Sequence, residues 1–135
     1  MRRPHYLNVD LDIESRHDLR PLVKAPRPDV MVLHSDEIGG QYLVRVESTA
    51  EHRGPDAAIE TLCKLLHRLP PSPRKLLDSA RKKVFDIGYE GSPKARVWNV
   101  AFRTRTLRRL TELGATFAIS FYPREPERKL PSRAR

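Results

Sequence analysis

Between Tyr6 and Glu14 the chain reads YLNVDLDIE, and Leu7, Val9, Leu11 and Ile13 fall on every second residue. Alternation over this length is the pattern of a strand with one side in a core and the other in water. A strand covered on both sides would be apolar throughout, so this segment alone argues for a sheet with helices on one face. It also places three acids: Asp10, Asp12 and Glu14 share the wet side, with about 6.6–6.8 Å between successive Cα positions.

Such a row can hold a metal ion or trade protons, and it can equally be solvated surface. A metal site needs carboxylates that converge with further oxygen ligands. A glycosidase-type pair needs one acid raised in pKa by burial and a sugar cleft between the two. The sequence supplies neither, so the row reads as solvated surface, and Asp10 and Asp12 are expected to tolerate Asn. Arg45 or Glu47 joins the row if the strand they occupy lies alongside.

Periodicity places the remaining elements. Ser15 is expected to cap a short helix over Arg16–Lys24, with Leu19, Leu22 and Val23 inward and Pro26 and Pro28 closing it. Val30–His34 and Tyr42–Glu47 read as strands of a hairpin, joined by a loop longer than two residues from Ser35 to Gly40. A helix starting at Gly54-Pro55-Asp56 repeats apolar groups at three and four through Leu69. Pro70-Pro71-Ser72-Pro73 is expected to stop it, and Arg74–Arg81 to form a shorter helix. Lys83–Glu90 reads as a strand, ended by Gly91-Ser92-Pro93. Trp98, Val100 and Phe102 alternate in an extended piece. Thr104–Leu113 reads as a helix capped by Gly114, and Thr116–Tyr122 as a last strand with Phe117, Ile119 and Phe121 inward.

The resulting βαββαβ order predicts an α+β domain of ferredoxin-like type. Its sheet is antiparallel or mixed, of about five strands, with helices packed on one face. At 135 residues the chain suits one domain, spanning residues 1–123. Residues 124–135, rich in charge and proline, are expected to form a disordered basic tail. No apolar run approaches the ~20 residues of a membrane span, and no apolar stretch follows the basic start as a secretion signal requires. One cysteine, Cys63, excludes an internal disulfide. Together these point to the cytoplasm and away from a membrane.

Charge is the strongest functional hint. The net charge is +9, from 26 Lys/Arg against 17 Asp/Glu; residues 1–67 hold 9 and 11 of these, leaving 17 and 6 in residues 68–135. The second half is thus a candidate surface for an anionic partner. Its clusters are Arg81, Lys82 and Lys83 before a strand, and Arg103, Arg105, Arg108 and Arg109 at the last helix. Arg105, Arg108 and Arg109 share a helix side, where like charges cost a few tenths of a kcal/mol each. These seven residues are the candidate partner-binding set. RNA binding asks for aromatics displayed on a sheet face, and only Tyr6 and Tyr122 suit that.

Cys63 and His67 lie four apart on one helix, which is half a zinc site or a nucleophile pair. No second cysteine exists, and the other histidines show no ligand spacing with it. The helical wheel sets Cys63 at the edge of the apolar face and His67 just outside, so the pair reads as a boundary thiol beside a surface histidine. There is no Gly-rich phosphate loop, G-x-S-x-G, H-E-x-x-H or C-x-x-C. No catalytic residue, metal ligand or cofactor is assigned.

Three runs carry a resemblance: Val84-Phe85-Asp86-Ile87-Gly88-Tyr89; the helix Leu107-Arg108-Arg109-Leu110-Thr111-Glu112-Leu113-Gly114-Ala115; and Ile119-Ser120-Phe121-Tyr122-Pro123. Over about a third of the chain, residues 81–123, they resemble the end of an uncharacterised bacterial family of small α+β proteins. Some members are similar to immunity proteins paired with toxins. The resemblance implies a non-enzymatic module that binds and blocks a partner protein, with no catalytic residue to transfer. The expected partner is a toxin or other protein with an acidic patch, steered by arginines and anchored by aromatics. The competing expectation is a nucleic-acid-binding protein using the same basic half.

Overall fold

A computed structural model describes residues 3–25, 29–92, 94 and 97–124. In chain order the elements are β1 (His5–Ser15), α1 (Arg20–Lys24), β2 (Val30–Ile38), β3 (Gln41–Ser48), α2 (Pro55–His67), α3 (Pro71–Asp78), β4 (Lys82–Glu90), α4 (Thr104–Glu112) and β5 (Thr116–Tyr122). The strands form one five-stranded sheet in the order β2-β3-β1-β4-β5. All neighbours are antiparallel except β4 and β5, which α4 connects in parallel. The sheet is therefore mixed and the class α+β, as the alternation of β1 implies.

Val9, Leu11 and Ile13 of β1, Val44 and Val46 of β3 and Phe85, Ile87 and Tyr89 of β4 are buried against the helices. On α2, Ile59, Leu62 and Leu66 recur at three and four and are fully buried, which is the stripe a helix needs to lie on such a sheet. Burying each of these side chains contributes about 1.5–3 kcal/mol. An aromatic group closes the β4–β5 end. Tyr89 meets Tyr6, Trp98 and Phe121 with ring centroids 5.8, 4.9 and 6.0 Å away. Trp98 reaches it from the irregular segment before α4. The alternating Trp98, Val100 and Phe102 are half-buried and belong to no strand.

Several boundaries differ from the sequence reading, each for a local reason. The first helix starts at Arg20, not Arg16, because Pro21 lacks an N–H and fits only a first turn. Ser15 is no helix cap: it ends β1 opposite Tyr42, and its hydroxyl accepts from the His17 N–H at 3.1 Å. The β2–β3 connection is a two-residue turn, because Gly39 and Gly40 both take positive φ (57° and 80°) and match the twist of paired strands. Pro71 and Pro73 do not merely stop α2. They sit in the first turn of α3, where N–H groups have no partner inside the helix anyway. In β1 a bulge between Tyr6 and Asn8 breaks the alternation, leaving Leu7 exposed and Tyr6 against the core.

Phe117 and Ile119 stand on the helix-covered side, in register with Phe85 and Ile87, yet remain 41% and 36% exposed because β5 is the sheet's last strand. The expected stops at Pro26, Pro28 and Pro93, and the expected disordered tail beyond Arg124, lie outside the described residues. Among the described residues, no helix is long and apolar enough to cross a membrane.

Candidate functional site

The sheet face turned away from the helices carries the acidic row. Because β1 is the middle strand, its polar side faces partners on both flanks. Asp12 lies opposite Arg45 of β3 and takes two hydrogen bonds from it, Nε to Oδ1 at 2.6 Å and Nη2 to Oδ2 at 3.1 Å. Glu14 lies opposite Lys82 of β4, with Oε2 3.9 Å from Nζ. Asp10 has no such match. It lies opposite another acid, Asp86, and takes a hydrogen bond from the Asn8 amide at 3.2 Å. Asp86 in turn takes one from the Ser120 hydroxyl at 2.6 Å.

Asp10 is therefore the electrically strained member of the row. Partial burial first, then the negative charge of Glu47, push its pKa up to about 6; Arg45 works against this, while Asp12 and Asp86 add to it. A carboxyl in that state can hold a proton at mildly acidic pH and release it near neutrality. Beside it runs an open groove of about 710 Å³, whose lining includes the apolar Leu33, Leu43 and Val84 together with Asp10, Asp12, Glu14, His34, Arg45 and Lys82. Among the described residues, no group of three or more His, Cys, Asp or Glu is placed to hold a metal ion.

The seven basic candidates do not gather into one patch. Arg103 reaches Asp56 of α2 with Nε to Oδ2 at 2.6 Å, and its Nη2 donates to Glu60. Arg105 donates to the same Glu60 oxygen at 3.1 Å, and Lys64 approaches the other oxygen at 3.0 Å. The Lys64 hydrogen bond first, opposed by burial and aided by the charges of Arg103 and Arg105, holds Glu60 below the ordinary carboxylate range. These two arginines thus fasten α4 to α2, which explains how the helix tolerates its like charges. Lys82 lies beside the open face, whereas Lys83 is half-buried on the helix side, where burial lowers its pKa. Arg81 is exposed, with its backbone N–H on the Glu14 carbonyl at 2.7 Å. Arg108 is exposed on α4, and Arg109 lines a small crevice with Cys63, His67 and Arg74.

In that crevice Cys63 is buried, and burial pushes its thiol up to about 12, so it is no nucleophile at neutral pH. His67 is exposed, with Nδ1 3.4 Å from Arg74 Nη1.

The sequence reading already offers Glu47, and Asn8 on the same strand, for the side that carries Asp10. It misses Asp86, which lies across the ladder from Asp10, and Ser120, which donates to Asp86. Asp86 and Ser120 sit on strands whose register against β1 and β4 is set by tertiary pairing; the one available signal is the polar parity of Asp86 between Phe85 and Ile87. No family model matches the chain, and no curated protein and no solved structure shows significant similarity to it.

Proposed function

We propose that the chain is a non-enzymatic protein-binding module, a regulatory or immunity-type factor, and that it meets its target across the open face of the sheet. The observation that carries this reading is the make-up of the groove beside β1. Apolar Leu33, Leu43 and Val84 lie among the pairs Asp12–Arg45 and Glu14–Lys82 and the unmatched Asp10, the mixed polar and apolar character of protein interfaces. A phosphate backbone laid there would face Asp10, Asp12 and Glu14. Nucleic-acid binding by the basic half also loses Arg103 and Arg105, whose guanidinium groups are spent on Asp56 and Glu60.

The test is capture from the source organism by the tagged full chain, with and without nuclease, comparing wild type with Leu33→Arg. Leu33 is 44% exposed, so the substitution leaves the core alone; far-UV circular dichroism checks this. The expected result is one stoichiometric protein that survives nuclease and moderate salt and is captured about tenfold less by the variant, equivalent to about 1.4 kcal/mol. Nucleic acid that is lost with nuclease and with salt would overturn the reading.

A further inference from the structure

We propose that the chain pairs with a second copy of itself along the free edge of β5, joining two five-stranded sheets into one. β5 is hydrogen-bonded to β4 along one side and is the last strand of the sheet. Among the described residues no strand pairs with its other row of backbone N–H and C=O groups, which is a template for another strand.

The two edges of this sheet are built differently. β2, at the far side, is broken by a bulge between Val32 and His34 and exposes His34, Asp36 and Glu37, devices that discourage edge-to-edge pairing. β5, Thr116-Phe117-Ala118-Ile119-Ser120-Phe121-Tyr122, has no charge, no proline and no glycine, and its pairing with β4 shows no bulge. Phe117, Ile119 and Tyr122 are 41%, 36% and 46% exposed along it.

The flank of α4 continues this margin. Arg105 is turned to Glu60, and Arg109 lies beside Cys63 and His67, so both point toward α2. At about 100° per residue, Leu107 and Thr111 then occupy the opposite flank, turned away from α2. Leu107 is 40% exposed there.

Charge limits where a second copy can sit. Copies of a chain with net charge +9 repel one another over most of their surface. An uncharged margin is where two of them can approach without setting like charges face to face. The strand is also complementary to itself. Antiparallel pairing about Ile119 sets Phe117 opposite Phe121 of the second copy, Ala118 opposite Ser120 and Thr116 opposite Tyr122, and no charged residue enters the ladder. Such a contact is isologous and closes on itself, consuming both free edges. It stands independently of the protein-binding reading, which uses the open face.

The test is the solution mass of the full chain by sedimentation equilibrium, together with two variants. The expected wild-type mass is twice the 15.6 kDa of the chain. Ile119→Lys should fall to one chain mass with its circular dichroism unchanged, whereas Ile38→Lys, at the exposed end of β2, should stay dimeric. Because Ile119 would face its own counterpart, with Cα atoms about 4.5–5.5 Å apart, Ile119→Cys should give a disulfide-linked dimer on mild oxidation and Met31→Cys should not. The cysteine pair keeps the test decisive if the lysine variant fails to fold. A wild-type chain that stays monomeric up to millimolar concentration would overturn the proposal. So would a dimer unaffected by Ile119→Lys, or one that Met31→Cys crosslinks and Ile119→Cys does not.

Discussion

Asp10 differs from its neighbours by one circumstance: the residue across the ladder is Asp86, where Asp12 meets Arg45 and Glu14 meets Lys82. Its pKa, raised from 3.8 to about 6, means that the folded state binds a proton more readily than the unfolded chain. The contribution of Asp10 to stability is therefore fully present below about pH 4, declines as pH rises through the interval to 6, and is lost above it. The full interval corresponds to about 3 kcal/mol, and screening by water over the exposed half of the group reduces this to about 1–2 kcal/mol. Asp10→Asn should thus raise the thermal midpoint at about pH 7.5 and leave it unchanged at about pH 4, read by thermal denaturation at the two pH values. A lower midpoint at the higher pH would show that the ionised carboxylate stabilises the fold. Alternation alone set Asp10 on the open face, but its charge state depends on Asp86 and Glu47, which come from other strands. That part was not legible in any single segment.

At the scale of elements, periodicity found every strand and the two helices α2 and α4, and it erred where proline and glycine carry two meanings. The expected helix Arg16–Lys24 runs through Pro21 and the Pro70–Pro73 run is expected only as a stop, whereas a ring without an N–H fits the first turn of a helix. Gly39 and Gly40 look like part of a longer loop in the sequence because the polar Asp36 and Glu37 precede them. Those two residues lie on an edge strand, where polar side chains meet water on both faces. The bulge at Leu7 left no sequence signal. The turn itself makes a clean test, since nothing lies within 4 Å of a Cβ added at Gly40. Gly40→Val should then cost about 1–2 kcal/mol through backbone strain alone, with Gly40→Asn costing less, measured by chemical denaturation. Equal stability of the two variants would mean the turn changes shape without penalty.

Across the whole molecule, the charge asymmetry of the two sequence halves turns partly inward. Carboxylates of the first half meet cations of the second: Asp56 and Glu60 with Arg103, Glu60 with Arg105, Glu14 with Lys82. Composition could show that the halves differ in sign but not that they are folded against each other. The core they enclose is shared, with α2 packed over β1 and β3 while meeting α4. Leu62→Ala, at a fully buried position, should cost about 2–5 kcal/mol. That is a large part of the 5–15 kcal/mol of a typical domain. Urea unfolding should show one transition with a lower midpoint and an unchanged slope. A second transition in the wild type would divide the chain into two cooperative bodies.

The position of Trp98 has an optical consequence. The chain has one tryptophan, and its ring stands edge-on to Tyr89 and to Phe121, one on each of the two parallel strands. Its emission colour and its near-ultraviolet dichroism are therefore tied to β4 and β5 lying side by side. Excitation at the red edge of the indole band reads that seam without any added dye, and a red-shifted spectrum would signal β5 lifting from the sheet before the rest of the fold opens.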